Sequence, residues 1–415
     1  MTRSALLVLY GATLFAQTSL DGQKAEARRL FAENHLTESA ALWRSALVKA
    51  PEDVDCLLNL GIVEDALGHF VKANNYLSQA AKLYPRSTSI LNNLAVNYVH
   101  LGRSNEAIRT LQHSLELNGN NPNALYNLGS LYLDSGKWSE AAATLERVAR
   151  LAPDDEGVRL KLSSAHMGIA KDLLQKGKLQ ESLSEFQAAI DAHPNDPKPY
   201  IGAVLALLKG EAIEGAMTVL AEAKLRFPNN LRLLLETGYA QQLQDNWAAA
   251  AESYRQAVQA DPGSVIARVF LGRAYRELGQ PDKSITVLRE AAQLSPDSSL
   301  ASYELAETLL SADPGNPEAS TLLERAAKID PHRAEPNYLL GKIALQRGDF
   351  AKAEHYLRLA STADPNLPQP HYLLAQVYRK EENVAKAAEE TAVYQRLKKG
   401  RGGPGLRDIA PGLQP

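Results

Sequence analysis

The chain has 415 residues, 48 acidic side chains against 45 basic ones, and a formal net charge of −3. Without a basic excess it has no positive stripe to offset phosphate charge, which argues against nucleic acid as a partner. A single cysteine, Cys56, rules out an intrachain disulfide and any cysteine-based zinc cluster.

In chain order, residues 1–19 read as an export signal. Arg3 supplies a positive start, and residues 5–15 form an apolar run too short to span a bilayer comfortably. The small residues Ala16, Thr18 and Ser19 follow and offer cleavage sites. An uncleaved membrane anchor is the alternative. No cysteine follows the run, so there is no thiol to lipidate. The expected location is periplasmic or secreted, with no integral membrane span once the signal is removed.

From residue 20 the chain repeats. Pro51, Pro85, Pro153, Pro194, Pro228, Pro262, Pro296, Pro331 and Pro365 mark a period close to 34 residues, with Gly119 in one proline's place. Such a period means one supersecondary unit stacked many times. Numbering each unit so that the proline is position 32, position 8 is small, as at Ala27, Gly61, Ala95, Gly129 and Gly238, with only Val204 departing. Position 20 is Ala or Ser, and position 24 is large, as at Trp43, Leu77, Leu111, Leu145, Phe186 and Tyr254. This is the pattern of two antiparallel helices whose small residues allow close approach while the large residue fills the groove beside them. Gly68, Gly102, Gly136, Gly177, Gly279 and Gly348 fall at the turn between the helices, and the proline stops the second one. Asp or Asn after the proline, as in Pro153-Asp154-Asp155, supplies an N-cap for the next unit.

Units one to four cover 20–155. The fifth, 156–196, has 41 residues between prolines, and 156–176 reads as one lengthened helix and a candidate joint. Its seven added residues are two turns, roughly 10 Å. Units six to eleven cover 197–401, the ninth carrying one extra residue near Asp313 to Pro317. Residues 402–415, rich in Gly and Pro, read as a disordered tail. The fold expected is all-α, a right-handed α-solenoid of about eleven helix-turn-helix units.

The segments LLNLGIVEDALGHFVKANNYLSQAAKLYP (57–85) and ALYNLGSLYLDSGKWSEAAATLERVARLAP (124–153) resemble the tetratricopeptide repeat family. The resemblance spans about residues 20–401. It implies a non-enzymatic scaffold whose first helices line a concave surface, with positions 2, 5, 6, 9, 12 and 13 facing it and a protein or extended peptide as the partner. Asn59, Asn93 and Asn127 all fall at position 6 of successive units. That row is similar to the asparagine ladder in the superhelix of O-GlcNAc transferases, where side-chain amides hold a peptide backbone. An amide both donates and accepts, so it matches a peptide bond without reading sequence. Asn92 and Tyr126, at position 5, are expected to flank the row. The competing reading is that asparagine is merely common there. Later units place Arg273, Arg276, Lys342, Arg379 and Lys380 on the expected face, with Tyr239, Phe270, Tyr338 and Tyr372 among them. This reads as a basic–aromatic trough for a carboxylate-bearing segment, or as ordinary solvated helix surface.

No chemistry-bearing motif stands out. The nine histidines form no metalloprotease pair, the SGKW stretch before Ser139 lacks phosphate-loop spacing, and GRGGPG (400–405) follows no strand. No catalytic residue, metal ligand or cofactor is expected. The reading that follows is an exported scaffold in bacterial envelope assembly or secretion. The alternatives are a non-catalytic repeat subunit of a glycosyltransferase-type complex, and self-association through the terminal units.

Overall fold

A computed structural model describes residues 19–400. The expected signal, apart from Ser19, and the expected tail lie outside the described residues. Those residues form 22 helices and no strand. They divide into two compact units after Gly202. The first holds the pairs α1 (Leu20–Ala32) and α2 (Leu36–Lys49), α3 (Val54–Ala66) and α4 (Phe70–Leu83), α5 (Thr88–His100) and α6 (Ser104–Leu117), α7 (Pro122–Asp134) and α8 (Trp138–Leu151), and α9 (Glu156–Gln175) and α10 (Leu179–Ala192). Helix α11 (Pro197–Lys209) crosses the division. The second unit holds α12 (Ile213–Arg226), α13 (Leu231–Leu243) and α14 (Trp247–Ala260), α15 (Val265–Glu277) and α16 (Pro281–Leu294), α17 (Ser299–Ala312) and α18 (Pro317–Ile329), α19 (Ala334–Gln346) and α20 (Phe350–Ala363), and α21 (Pro368–Lys380) and α22 (Val384–Gly400). Within each unit consecutive helices pack on one another, α9 on α10 and α19 on α20 among them, the arrangement of an α-solenoid.

Helix starts follow from the residue two places after the period-end proline. Asp53 accepts from the Cys56 amide at 2.9 Å, Asp155 from Val158 at 3.0 Å and Asn230 from Leu233 at 3.1 Å. Each carboxylate or amide oxygen satisfies one of the donors left open at a helix start. Ser87, Ser264 and Ser298 do the same for α5, α15 and α17. The turn inside every pair except α17/α18 uses a left-handed residue. Gly68, at φ +78°, adopts it without strain, whereas Asn34, Glu211, Asp245 and Glu382 occupy it in pairs that lack the glycine.

Packing explains the small positions. At Gly61 an added Cβ would lie 2.6 Å from Leu77 Cγ, so the α3 backbone rests directly on the large residue of α4. Serine at position 20 has its own reason. The hydroxyls of Ser39, Ser182 and Ser284 donate at 2.7–2.8 Å to the carbonyls of Ala27, Ala170 and Gly272, the position-8 residues of the paired helices. These buried bonds tie the two helices where they approach most closely.

Helix α9 runs unbroken for 20 residues. Its added N-terminal turns lie beside α7. Lys161 Nζ sits 5.3 Å from the Tyr126 ring centroid, and Arg159 Nε donates to the Ala192 carbonyl at 3.0 Å. The segment 156–196 read as a joint belongs to the first compact unit. The extra residue of the ninth repeat extends the first helix of that pair: α17 has 14 residues and α18 has 13, where α15 and α16 have 13 and 14.

Candidate peptide-binding surfaces

In the first unit, α3, α5 and α7 place Asn59, Asn93 and Asn127 at equivalent points, all half-buried. Asn59 Nδ2 donates to the Asp55 carbonyl and to Asp55 Oδ1, both at 2.8 Å, and Asn93 Nδ2 donates to the Ser89 carbonyl at 2.9 Å. These bonds back to residue i−4 fix the carboxamides on their own helices. They leave the Oδ1 atoms as acceptors, with no protein donor to either among the described residues. Fixing the amide beforehand reduces the entropy lost when a peptide N–H arrives. Around Asn59, Asp55 also receives Arg28 at 2.5 Å.

Asn92 does not flank this row. It is 8% exposed, accepts from Ser114 Oγ at 3.0 Å and donates to Asn121 Oδ1 at 3.4 Å. Its amide fastens α5 to α6 and to the cap of α7, so both ends are already used within the core. Tyr126 is half-buried under Lys161 of the lengthened α9, a neighbour that the added turns create.

Asn127 has no hydrogen-bond partner among the described residues, and it lines a notch of about 150 Å³ between α5 and α7. The other walls are Ala95, Val96, Val99, His100, Leu111, Ser130, Leu131 and Asp134. Positions 9, 12 and 13 of the repeat supply most of these groups. Reading position 6 alone leaves them out, although the same expected face contains them.

The second unit differs at the same repeat position. Glu236, Phe270 and Glu304, its position-6 residues on α13, α15 and α17, are all buried. Eight successive residues of α13, Leu233 to Ala240, are buried, so that helix is covered on every side. The expected trough is not open at Arg273 and Arg276. Both guanidiniums turn onto the buried Glu304 carboxylate, Arg273 with both of its nearer nitrogens and Arg276 Nη1 at 2.9 Å. Arg276 also reaches Glu307 at 3.0 Å. Burial opposes the charge on Arg273, but the Glu304 carboxylate more than offsets it and its pKa is raised. Burial likewise pushes Glu307 and Tyr303 up. The acids that consume these cations sit one first helix further on, so a count of cations alone misses them. Phe270 and Tyr239 are buried too, Phe270 against Tyr254 with ring centroids 5.4 Å apart. Lys342 and Arg379 are exposed, and Arg379 donates to Thr391 Oγ1 at 3.0 Å. Tyr372 is exposed beside Tyr394 at 5.3 Å, and Tyr338 is only partly covered.

Cys56 is buried in the first unit. Burial, with the Asp53 carboxylate beside it, pushes its thiol up to about 12, so it is inert as a nucleophile near neutrality. Among the described residues no group of three His, Cys, Asp or Glu side chains has metal-binding geometry. No described helix is long and apolar enough to cross a membrane.

Comparison with known proteins agrees with this architecture. Tetratricopeptide repeat models match residues 24–88, 87–154, 167–230, 235–299, 269–333 and 316–377. No curated protein sequence matches the chain. Among solved structures, yeast Tom70 is 16% identical, with 92% of each chain covered and a TM-score of 0.44. Cut9 in the Cut9–Hcn1 hetero-tetramer assembly is 12% identical, with 94% of this chain and 96% of that one covered and a TM-score of 0.46. The Naa15/Naa10 complex bound to HypK contains a chain 15% identical, with 92% of this chain and 64% of that one covered and a TM-score of 0.47. With small and large residues interlocked at Gly61, Gly129, Gly238, Gly272 and Gly341 and repeat models matching most of residues 24–377, the chain belongs to the tetratricopeptide repeat family, whose repeats form scaffolds suited to protein–protein interaction.

Proposed function

We propose that this protein is a non-enzymatic, exported scaffold that holds an extended segment of a partner protein along α3, α5 and α7, in bacterial envelope assembly or secretion. The observation that carries the reading is the row of Asn59, Asn93 and Asn127, with two of its amides fixed to their own helices and their carbonyl oxygens left as acceptors. Such a row suits a peptide backbone, because each carbonyl oxygen can accept from a peptide N–H, and the Asn127 amide can donate to a peptide carbonyl as well. The export part rests on Arg3 and the apolar run at 5–15. The repeat-subunit alternative shares the same row and differs only in what co-purifies.

The test is one pull-down of the full-length protein from fractionated cells. Wild type is compared with the Asn59→Ala/Asn93→Ala/Asn127→Ala variant, and the mature N-terminus of the bait is read by mass spectrometry. Each lost hydrogen bond is worth about 1 kcal/mol net, so the triple variant should bind its partner roughly 100-fold more weakly at unchanged helicity. Equal recovery of the same partner by both baits would discard the row. An intact Met1 in a cytoplasmic fraction would discard export, and a co-purifying glycosyltransferase would favour the alternative.

A further inference from the structure

The step from α3 to α5 and the step from α5 to α7 are built from the same repeat positions but filled differently. In the first, Asp65 of α3 accepts from Asn97 Nδ2 at 2.7 Å and meets His100 Nδ1 at 2.7 Å, both on α5. His100 also rests on the Phe70 ring, 4.9 Å between centroids. These contacts close the space between the helices. One repeat later the same three positions are Val99, Leu131 and Asp134. The polar lock becomes an apolar pair and a carboxylate, and the notch of about 150 Å³ opens in its place.

Its floor is Ala95 and Leu111, fully buried, with Leu131 at 5% and Val99 at 39% exposure toward the mouth. Space of that size accepts one side chain no larger than a benzene ring. Asp134 is exposed at the rim and has no cationic partner among the described residues. It is also the last residue of α7, where the helix dipole already presents negative charge. His100, also in the notch wall, forms its ion pair with Asp65 and none with Asp134.

The geometry points to a selectivity pocket: the partner segment lying along the asparagine row inserts one aliphatic or Phe-sized side chain between α5 and α7 and sets a Lys or Arg against Asp134. This rests on the proposed scaffold reading and adds the chemistry of its partner. Asn127 lines the same notch, so backbone capture and side-chain selection meet at one point.

The test uses the immobilised full-length protein and a random nonapeptide library with acetylated and amidated ends, so that terminal charges do not compete. Sequences retained by wild type are expected to be enriched in Leu, Ile, Val, Met or Phe with Lys or Arg within three residues. Asp134→Lys, an exposed substitution, should abolish the basic preference and favour Asp or Glu beside the same apolar residue. Val99→Trp should block the notch and lower capture of the enriched peptides about tenfold, roughly one apolar side chain's contribution, with the thermal melt confirming that the variant is folded. A retained pool with no basic preference, or one unaltered by Asp134→Lys, overturns the pocket. If that pool is nonetheless lost in the triple asparagine variant, the scaffold reading stands without it. Retention of no peptide by wild type removes both.

Discussion

Glu304 shows how one side chain decides whether a surface is open. It is fully buried on α17 and receives Arg273 and Arg276 from α15, while Ser284 Oγ lies 3.3 Å from Thr308 Oγ1 just beyond. A carboxylate without access to water persists only because two guanidiniums and their hydrogen bonds surround it. Removing it strands two cations that are themselves largely covered. Glu304→Ala should therefore destabilise the protein by about 3–5 kcal/mol, read as a lower urea midpoint. Replacing Arg273, Arg276 and Glu304 together by methionine should cost much less, because no uncompensated charge remains. A single variant as stable as wild type would show that the cluster carries no net charge burden. Position and residue type were enough to put Arg273 and Arg276 on the first-helix face from sequence. Their role was hidden because the neutralising acid lies 31 residues on for Arg273, and only the fold brings it within reach.

Between two helices, complementarity of small and large residues is the controlling feature, and this was the most legible part of the chain. Position 8 and position 24 meet across the pair wherever position 8 is glycine, as at Gly61 with Leu77, Gly129 with Leu145 and Gly272 with Leu288. At one position-8 glycine the large residue is a rigid ring. A Cβ added at Gly238 would lie 2.4 Å from Tyr254 Cε1, and that ring is held between Phe270 and a hydrogen bond to Gln242 Oε1 at 3.3 Å. Gly238→Ala should cost about 1–3 kcal/mol through overpacking. Alanine at position 8 is already accommodated opposite leucine at Ala95 and Leu111. Adding Tyr254→Leu to Gly238→Ala should accordingly cost less than the two single changes summed, a coupling that a double-mutant cycle in urea measures. Strict additivity would argue against direct contact as the cause. The candidate binding row was legible in the same way, as a residue type at a fixed position. The notch beside it was not, because a cavity depends on what three different positions leave unfilled.

Across the whole molecule, buried carboxylates respond to acid in opposite directions. In the first unit burial pushes Asp53 and Glu64 up, but stronger partners prevail and hold both below the ordinary carboxylate range: Lys24 at 2.6 Å and the Cys56 amide for Asp53, Arg44 at 2.5 Å and His69 at 2.8 Å for Glu64. At two glutamates of the second unit burial wins. It pushes Glu236 up against the opposing charge of Arg232 at 2.7 Å, and Glu307 up against Arg276. A carboxyl whose folded pKa is raised contributes stability that is fully present below its unfolded value and is lost as pH rises through the folded one. Glu236 and Glu307 therefore favour the folded chain as pH falls from neutrality toward about 5. Asp53 and Glu64 contribute above their unfolded values and lose that contribution as pH falls through their depressed folded ones. The urea midpoint of the full chain should rise on mild acidification and then fall below about pH 4, where unfolded carboxylates take up protons. Glu236→Gln should flatten the rise between pH 7 and 5 without altering the acid limb, and Glu64→Gln should do the reverse. A rise of the same slope in Glu236→Gln would place its cause elsewhere in the second unit, with Glu307 the next carboxyl to replace.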